Sequence, residues 1–441
     1  MNKIALTFLV AFFSTFGFAQ SPDEQIGNCL NTSDFFLLEE IYPTIKNDVQ
    51  IPVLNTFAES LLYAAFNNPE QAVSAIDSLI AKYQGEIGLE NVRNMLINQC
   101  WMLFRKGEYQ DGYNRLKSFI EQLEPHMPVE FLAGSKANLR LYKAFLDESK
   151  PRLDRPNVDC VIPMEIDTIR IKGNEDDTLR YSTLMFVPVV VNGQQERFIF
   201  DTGCGGGIFL SQEYANRLGA RIKMDSLSIS GSGGHSSGQM AIIDSIQVGN
   251  MIFKNVTATI MMPNLQVDTL YKVDAVLGVD IMDYAGEVQI FPNEKKIVFP
   301  INKTSLPATG KNMMRMLGGD AFFLKAYSGD ERLTMLFDTG DVYSHFNEKY
   351  YNVHKEYVNI NGLKESKISG GFEGTKQTEF YSLPSFSLKI GNKQFEIKHM
   401  IVGSNPEATS QQFGFGALGM AFINAFDKVT ISFDEMFVEV E

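Results

Sequence analysis

The sequence predicts a mainly β chain with two related lobes, preceded by a small all-α domain. Three observations support this prediction. Apolar residues recur at helical spacing between about 33 and 150, short apolar segments with glycine turns follow beyond 180, and that second region contains an internal repeat. At roughly 150 residues per domain, 441 residues are enough for about three domains with sizeable cores.

Composition and charge narrow the classes of function. Apolar residues make up 44% of the chain and charged residues 21%, which is the usage of a folded globular protein. The 39 Lys and Arg residues against 53 Asp and Glu give a formal net charge of -14. Because an acidic surface repels phosphate backbones and the chain has no Lys/Arg-rich run, we do not expect a nucleic-acid partner.

Residues 1–19 are typical of a secretory signal peptide. Lys3 supplies the positive start, residues 4–13 the apolar core and residues 17–19 a small-residue cleavage pattern. The apolar stretch is shorter than the ~20 residues that span a bilayer, and no comparable run follows it. We therefore expect cleavage near Gln20, export to the periplasm or the extracellular space, and no stable membrane insertion of the mature chain.

The cysteine count leaves disulfide pairing open. Cys29, Cys100, Cys160 and Cys204 are too few for a disulfide framework, although an exported chain can hold one or two bridges. A Cys29–Cys100 bridge is one option that the sequence does not decide.

Residues 33–150 are predicted to form the helical domain. Helical spacing of apolar residues resumes after a break at residues 67–69, and segments 92–105 and 109–123 flank a Lys106-Gly107 turn. These predicted hairpins resemble tetratricopeptide repeats, but their spacing of roughly 38 to 40 residues exceeds the 34 of that family. The apolar stripes are accounted for by the core of the domain itself. The role of this domain stays open: it could engage a protein partner, position substrate or block a cleft.

The pattern becomes β after residues 151–163, which are rich in proline and charge and indicate a domain boundary. The apolar run 184–191 before Asn192-Gly193 is a hairpin signal, and Pro188 indicates an edge position or a bulge. We expect the first lobe at 180–300 and the second at 318–441.

The two lobes are predicted from the repeat. Phe-Ile-Phe-Asp-Thr-Gly at 198–203 recurs as Met-Leu-Phe-Asp-Thr-Gly at 335–340. In both copies an Ile-Ser-Gly triplet and then an apolar-Leu-Gly element follow at similar distances. One Asp-Thr-Gly is compatible with an ordinary turn, because all three residue types favour turns. Two copies in the same order indicate two homologous lobes.

The repeat also predicts a chemistry. A strand delivers each aspartate to a turn, where the glycine permits close backbone approach and the threonine hydroxyl can bond across to the opposite loop. Two carboxyl groups within a few Å share one proton, so they hold an acid and a base together. Such a pair hydrolyses an amide through an activated water, without a metal or a covalent nucleophile. The candidate residues are Asp201, Thr202 and Gly203 in the first copy and Asp338, Thr339 and Gly340 in the second.

Over about 181–441 the chain resembles the retropepsin-like and pepsin-like aspartic proteases, through the doubled Asp-Thr-Gly and the later Leu277-Gly278 and Leu418-Gly419 elements. The resemblance implies a bilobal aspartic-protease fold of two retropepsin-like β lobes after the helical-hairpin domain. It implies Asp201 and Asp338 as the catalytic pair, with the Leu-Gly elements supporting the active-site loops. The implied activity is a secreted aspartic endopeptidase that acts on peptides or proteins without a cofactor or metal.

The resemblance further implies a flexible hairpin, or flap, that closes over the substrate, although ordinary hairpin loops are an equal alternative. Neither candidate segment contains the Tyr typical of pepsin flaps, which favours a retropepsin-like lobe. The candidate flap residues are Ser230, Gly231, Gly233, Gly234, Ser369, Gly370 and Gly371.

Two residues depart from the family pattern, which has Ala or Ser after Asp-Thr-Gly. Cys204 is small enough to replace either and is expected to pack rather than react. Asp341 brings a third carboxylate, which would raise the apparent pKa values of the pair unless it faces solvent or finds a donor. The pH optimum is therefore open.

Competing functions have weaker support. Residues 234–238 match G-x-S-x-G, but we expect a loop before a strand rather than the strand-to-helix elbow of serine hydrolases. The five His residues are dispersed without metal-ligand spacing. The serious alternative is a catalytically silent, secreted peptide-binding protein that uses the same cleft, with the helical domain engaging a partner. Two intact aspartates favour the enzyme, because a pure binder gains nothing from two adjacent buried carboxylates.

Overall fold

Residue contacts divide the chain, described here by a computed structural model, into two compact units. One unit comprises Met1–Lys150 with Met314–Gly319, and the other comprises Pro151–Met313 with Asp320–Glu441. The predicted signal peptide lies outside the described residues. The structure describes residues 20–170, 181–231, 234–261, 273–371, 374–404 and 413–441.

The described part of the first unit is helical. Its first helix begins with a capping box, in which Ser21 Oγ accepts from the Glu24 N–H and the Glu24 carboxylate accepts from the Ser21 N–H. Proline occupies the first position of three helices, where a missing N–H costs nothing. The helices are α1 Pro22–Thr32, α2 Phe35–Ile45, α3 Pro52–Ala65, α4 Pro69–Arg105, α5 Tyr109–Leu123 and α6 Val129–Phe145, with a 3-10 turn at Lys46–Asp48.

Aromatic packing joins the last three of these helices. The Phe104 ring meets the Tyr142 and Phe145 rings edge to face, with centroids 5.5 and 5.0 Å apart. Helix α4 is interrupted at Gly88, whose φ of 78° is outside the helical region. Within this unit, the Gly318 N–H donates a hydrogen bond of 3.0 Å to Asn98 Oδ1. The segment Met314–Gly319 is therefore held by α4.

The second unit is mainly β. The elements of its first half are β1 Arg152–Asp154, β2 Cys160–Pro163, β3 Glu165–Arg170, β4 Tyr181–Val191, β5 Gln194–Phe200, β6 Ile208–Ser211, α7 Gln212–Arg217, β7 Arg221–Gly231, β8 Gly234–Val248, β9 Met251–Met261, β10 Ala275–Leu277, α8 Val279–Ala285, β11 Glu287–Phe291 and β12 Lys296–Phe299. The later elements are β13 Met313–Arg315, of which only Met313 belongs to this unit, β14 Phe322–Ser328, β15 Glu331–Phe337, β16 His345–Phe346, α9 Glu348–Val353, α10 Lys355–Asn361, β17 Leu363–Gly371, β18 Gly374–Ile390, β19 Lys393–Gly403, β20 Gly416–Leu418, α11 Met420–Ile423, β21 Val429–Ser432 and β22 Phe437–Val440.

Two β lobes repeat one topology. In the first, hydrogen-bonded pairs run β4-β5-β10-β6-β9-β8 and return to β4, and in the second they run β14-β15-β20-β16-β19-β18 and return to β14. Each lobe is thus a closed barrel. In both lobes the strand that precedes Asp-Thr-Gly pairs in parallel with the strand that carries the apolar-Leu-Gly element. The repeat in the sequence is therefore a repeat in the fold.

A third sheet joins the lobes. Its strand order is β2-β12-β11-β21-β22, so that β11 of the first lobe pairs in antiparallel register with β21 of the second. Every residue of β21 is buried. The predicted fold class, a mainly β bilobal structure after an all-α domain, is confirmed.

Three sequence expectations have structural outcomes here. The Asn192-Gly193 hairpin is confirmed, with φ values of 49° and 78° that match a two-residue hairpin turn. Residues 234–238 lie inside strand β8, not in a loop, because they pair with β7. All four cysteines are buried thiols outside any disulfide, so the Cys29–Cys100 bridge is not formed. Among the described helices none has the length and apolar character to cross a bilayer.

Candidate active site

Asp201 and Asp338 occupy equivalent positions, each directly after a barrel strand. The Asp201 N–H donates to the Leu277 carbonyl oxygen at 3.1 Å, and the Asp338 N–H donates to the Leu418 carbonyl oxygen at 3.0 Å. Both leucine side chains are fully buried. The two Leu-Gly elements therefore fix the direction in which each aspartate leaves its strand.

Thr202 and Thr339 connect the two loops reciprocally. Each backbone N–H donates to the other threonine's Oγ1 at 3.0 Å. The Thr202 hydroxyl donates to the Phe337 carbonyl oxygen at 3.0 Å, and the Thr339 hydroxyl donates to that of Phe200 at 2.8 Å. A hydroxyl has one proton and two lone pairs, so each threonine donates once and accepts once. Both side chains are fully buried, so this network links the loops away from water.

Gly203 and Gly340 leave space for the carboxyl group of the opposite lobe. A Cβ at Gly203 would lie 2.2 Å from Asp338 Oδ1, and one at Gly340 would lie 2.3 Å from Asp201 Oδ2. Asp201 Oδ1 accepts the N–H of Gly203 at 2.7 Å and that of Gly340 at 3.0 Å. Asp338 Oδ1 accepts the Gly340 N–H at 3.0 Å. Glycine is required here because any side chain would displace the carboxyl group of the opposite lobe.

The pKa values of the two carboxyl groups are raised unequally. Burial raises the pKa of both, and the charges of Asp201 and Asp341 hold the pKa of Asp338 well above its usual range. The N–H groups of Gly203 and Gly340 oppose this rise at Asp201, because they stabilise its ionised form. Asp201 Oδ1 accepts two N–H groups and Asp338 Oδ1 accepts one, which favours Asp201 as the ionised member of the pair. Both residues remain partly exposed, so solvent reaches the pair.

Gly278 and Gly419 bring the Leu-Gly elements against the active-site loops. A Cβ at Gly278 would lie 2.6 Å from the Cys204 carbonyl oxygen, and one at Gly419 would lie 2.2 Å from that of Asp341. The next residue in each element donates its N–H to the same carbonyl oxygens, both at 2.8 Å. The two supports are structurally equivalent although the residues after Asp-Thr-Gly differ.

Cys204 packs in the interior beside the pair. It lies in an apolar cluster with Leu184, Phe186, Ile199 and Val276, against which the partly buried Phe209, Val273 and Val342 also pack. Burial, and the charge of Asp201 after it, raises the pKa of the Cys204 thiol well above its ordinary value. The thiol therefore stays protonated, and its environment is that of a packing residue.

Both oxygens of the Asp341 carboxylate have a hydrogen-bond partner. Its Oδ2 lies 2.6 Å from His345 Nδ1, and its Oδ1 accepts the Tyr343 N–H at 3.1 Å. Its charge raises the pKa of Asp201 and of Asp338, in each case after the larger effect of burial. The third carboxylate is thus both partnered and electrostatically coupled to the pair.

The flap candidates lie on two equivalent hairpins. The β7–β8 ladder extends to the Gly231 and Gly234 pair, and the β17–β18 ladder to the Gly371 and Gly374 pair. Ser230, Ser369 and Gly370 are paired residues of these ladders, whereas Gly233 lies outside the described residues. Their role as flaps stays a prediction.

Two carboxylates near the first loop were not identified from the sequence. Asp280 is buried and accepts the Gly207 N–H at 2.6 Å, and Asp320 lies against Gly205, where a Cβ would be 2.1 Å from its own Cβ. The repeat gave no signal for Asp280, because Ala421 stands at the equivalent place. Within the described ranges, no group of three or more His, Cys, Asp or Glu residues is arranged to hold a metal ion.

Comparison with known proteins connects the first lobe to one family. Residues 187–281, which include Asp201 and Leu277-Gly278, match the family model described as aspartyl protease. The predicted resemblance to retropepsin-like aspartic proteases is confirmed. No curated protein matches the chain.

Three solved structures are similar to parts of the chain. A retropepsin-like aspartic protease from Rickettsia conorii is 16% identical, covers 35% of this chain and 95% of its own, and has a TM-score of 0.22. Basic 7S globulin from soybean is 10% identical, covers 64% and 96%, and has a TM-score of 0.35. The protein edgp is 9% identical, covers 65% and 95%, and has a TM-score of 0.37.

Proposed function

We propose that the chain is an exported aspartic endopeptidase that hydrolyses peptide bonds through a water activated by Asp201 and Asp338. The observation that carries this proposal is the placement of Asp201 and Asp338, each against the glycine of the opposite loop, with the Gly340 N–H donating to Asp201 Oδ1 at 3.0 Å. Two carboxyl groups held this close together, with little exposure to solvent, cost folding free energy, and such a cost is typical of functional sites. The match of residues 187–281 to aspartyl proteases supports the same reaction class.

The arrangement supports a general acid–base mechanism. Ionised Asp201 takes a proton from water while protonated Asp338 polarises the carbonyl oxygen of the scissile bond. The water oxygen adds to the carbonyl carbon. Asp201 then gives the proton that it took from water to the nitrogen of the tetrahedral intermediate, and the C–N bond breaks to release the amine and the carboxylic acid. The carboxyl pair then holds one proton again, so it neither gains nor loses protons over a turnover.

We infer that the substrate is an extended peptide. The two equivalent hairpins, β7–β8 and β17–β18, are suited to cover a peptide that adds as a strand, which leaves alternate side chains for pockets. Val342 follows Asp341 and packs against the cluster that contains Cys204, so apolar side chains from both lobes meet beside the pair. This favours an apolar substrate side chain next to the cut. A cleavage profile that is independent of the residues flanking the cut would contradict the inference.

The test of the reaction is hydrolysis of a diverse peptide library by the mature chain between about pH 3 and 8. Because general acid–base catalysis contributes about 10²–10⁴-fold, Asp201→Asn and Asp338→Asn should each lower kcat/KM by at least that much. A pepstatin-like inhibitor should reduce cleavage by the wild type. The matched control is Asp330→Asn, an exposed carboxylate in the β14–β15 turn, which should leave kcat/KM unchanged.

Two results would count against an endopeptidase. Cleavage that survives both active-site substitutions would come from a contaminant or from another site. A folded mature chain that binds peptides but cleaves none at any pH would instead support the peptide-binding alternative.

The proposal of export rests on the sequence of residues 1–19. Expression with this segment should yield, outside the cytoplasm, a chain whose first residue is near Gln20. A chain that keeps Met1 and stays with cytoplasmic proteins would contradict export without bearing on the reaction.

We further propose that the helical unit engages a protein partner or positions substrate.

A further inference from the structure

We propose that His345 is a positioning residue that acts through Asp341 to set the pH range in which the Asp201/Asp338 pair holds a single proton. This inference rests on the proposed function, since it concerns the protonation state that hydrolysis requires. It assigns a role to the residue that replaces the usual Ala or Ser after the second Asp-Thr-Gly.

The geometry connects His345 to the pair in two short steps. His345 Nδ1 lies 2.6 Å from Asp341 Oδ2, and the Asp341 N–H donates at 3.0 Å to the carbonyl oxygen of Asp338. The Asp341 carbonyl oxygen accepts the Met420 N–H at 2.8 Å, so the backbone of Asp341 is fixed from the other side by α11. Asp341 therefore keeps a fixed position relative to the carboxyl pair.

Exposure permits proton exchange at both members of this charge pair. The Asp341 side chain is 23% exposed and the His345 side chain 40% exposed. His345 Nδ1 is within hydrogen-bond distance of the Asp341 carboxylate, so the imidazole can offset the Asp341 charge as a hydrogen-bond donor and, when protonated, as a cation.

Tyr343 is one ionisable neighbour of Asp341, and burial, followed by the charge of Asp341, raises the pKa of its hydroxyl. Strand β20 and helix α11 carry no ionisable side chain, and β19 places Ile401 opposite His345. Asp280 and Asp320 lie instead at the loop of the first lobe, against Gly207 and Gly205.

The sign of the effect follows from charge. Where the imidazole is protonated, its charge offsets that of Asp341, so the carboxyl pair experiences a weaker field and can lose its first proton. Where the imidazole is neutral, the uncompensated Asp341 charge disfavours a second negative charge on the pair. The second proton is then retained to higher pH, so the singly protonated state covers a wider range than it would without Asp341 and His345.

Substitutions of the two residues should shift the pH profile of kcat/KM in opposite directions. Asp341→Asn removes the negative charge and should move both limbs of the profile to lower pH. His345→Gln removes the compensating positive charge and should move the acid limb to higher pH. The matched control is His354→Gln, because His354 pairs with Glu331 at 3.1 Å, near the far end of β15 from Asp338. This control should move neither limb.

A direct titration separates this inference from the proposed function. The carboxyl groups are followed by ¹³C NMR of aspartate-labelled protein, with Asp338→Asn assigning the signals of the pair. If the midpoints of the pair shift in the predicted directions, the coupling holds even for a chain that cleaves no peptide. Midpoints unmoved in both folded variants, or moved in the same direction by Asp341→Asn and His345→Gln, overturn the inference. If Asp341→Asn does not fold, an acid limb or midpoint unmoved by His345→Gln is sufficient to overturn it.

Discussion

At the residue scale, the site depends on groups that have a partner in the opposite lobe. Sequence alone predicted that the threonines of the two Asp-Thr-Gly copies bond across the interface, and each makes two such hydrogen bonds. The unequal hydrogen bonding of the Asp201 and Asp338 carboxyl groups was not predictable. It arises because Asp201 Oδ1 accepts the N–H groups of both Gly203 and Gly340, and the repeat is symmetric in sequence at these positions.

The threonine network makes a prediction about stability. Thr202→Val preserves the shape of the side chain but leaves the Phe337 carbonyl oxygen and the Thr339 N–H without this partner. Each buried group left unsatisfied costs about 1–3 kcal/mol, so the free energy of unfolding of the β lobes should fall by about 2–6 kcal/mol. Thr202→Ser keeps the hydroxyl and is the matched control. Equal stability of Val and Ser variants in a urea titration would show that the network contributes little.

At the element scale, the repeat predicted the strands that precede each aspartate and the strands of the Leu-Gly elements. It did not predict β2, which lies in the segment assigned to a domain boundary because of its proline and charge. In the structure Cys160 and Ile162 of β2 are buried while Val161 is 58% exposed, an alternation that identifies a strand with one face in the core. Four residues are too few for that period to stand out from sequence.

Pro188 shows how a residue that breaks sheets is accommodated in a central strand. On one side of β4 it is opposite Arg197, while on the other side pairing with β3 ends at Phe186 and pairing with β8 begins at Val190. The residue without an N–H therefore lies in the gap between two ladders. The sequence indicated an edge position for Pro188. The structure provides one locally, because neither β3 nor β8 pairs with β4 at this residue.

The alternation in β2 can be tested by a matched pair of substitutions. Ile162→Ala removes buried methylene and methyl groups from the shared sheet and should lower the free energy of unfolding by about 2–5 kcal/mol. Val161→Ala, one residue away and on the exposed face, should change it by less than about 0.5 kcal/mol. Similar losses for the two variants would place the strand outside the core. Both measurements are of unfolding free energy, so the test of the strand does not depend on whether the chain is an active enzyme.

At the scale of the whole second unit, the shared sheet and the threonine network join two barrels that each contribute one aspartate. The sequence predicted that both aspartates come from one chain. It could not predict the third sheet, because β11 pairs with β21 across 130 or more residues, and only the folded chain brings them together. The candidate active site therefore forms only when both lobes are folded. Any destabilisation caused by its carboxyl pair lowers the free energy of unfolding of the second unit.

The raised pKa values of the carboxyl pair make the free energy of unfolding of the lobes depend on pH. Burial raises the pKa values of Asp201 and Asp338 above the ordinary value of 3.8, so the folded lobes bind more protons than the unfolded chain. The stabilisation from the bound protons is complete below the ordinary value and is lost as pH rises through the raised values. Asp338→Asn removes the group with the stronger shift, so its stability relative to the wild type should increase as pH rises from about 4 to 7.

The measurement is urea unfolding of wild type and Asp338→Asn at several pH values, with the two units followed separately. The single tryptophan, Trp101, lies in α4 and reports the helical unit, whereas the β signal in circular dichroism reports the lobes. The stability difference should grow with pH in the β signal and stay constant in the tryptophan signal. A difference that shrinks with rising pH would mean that the pair is ionised at both aspartates in the folded state, and the assignment of the shared proton to Asp338 would then be wrong.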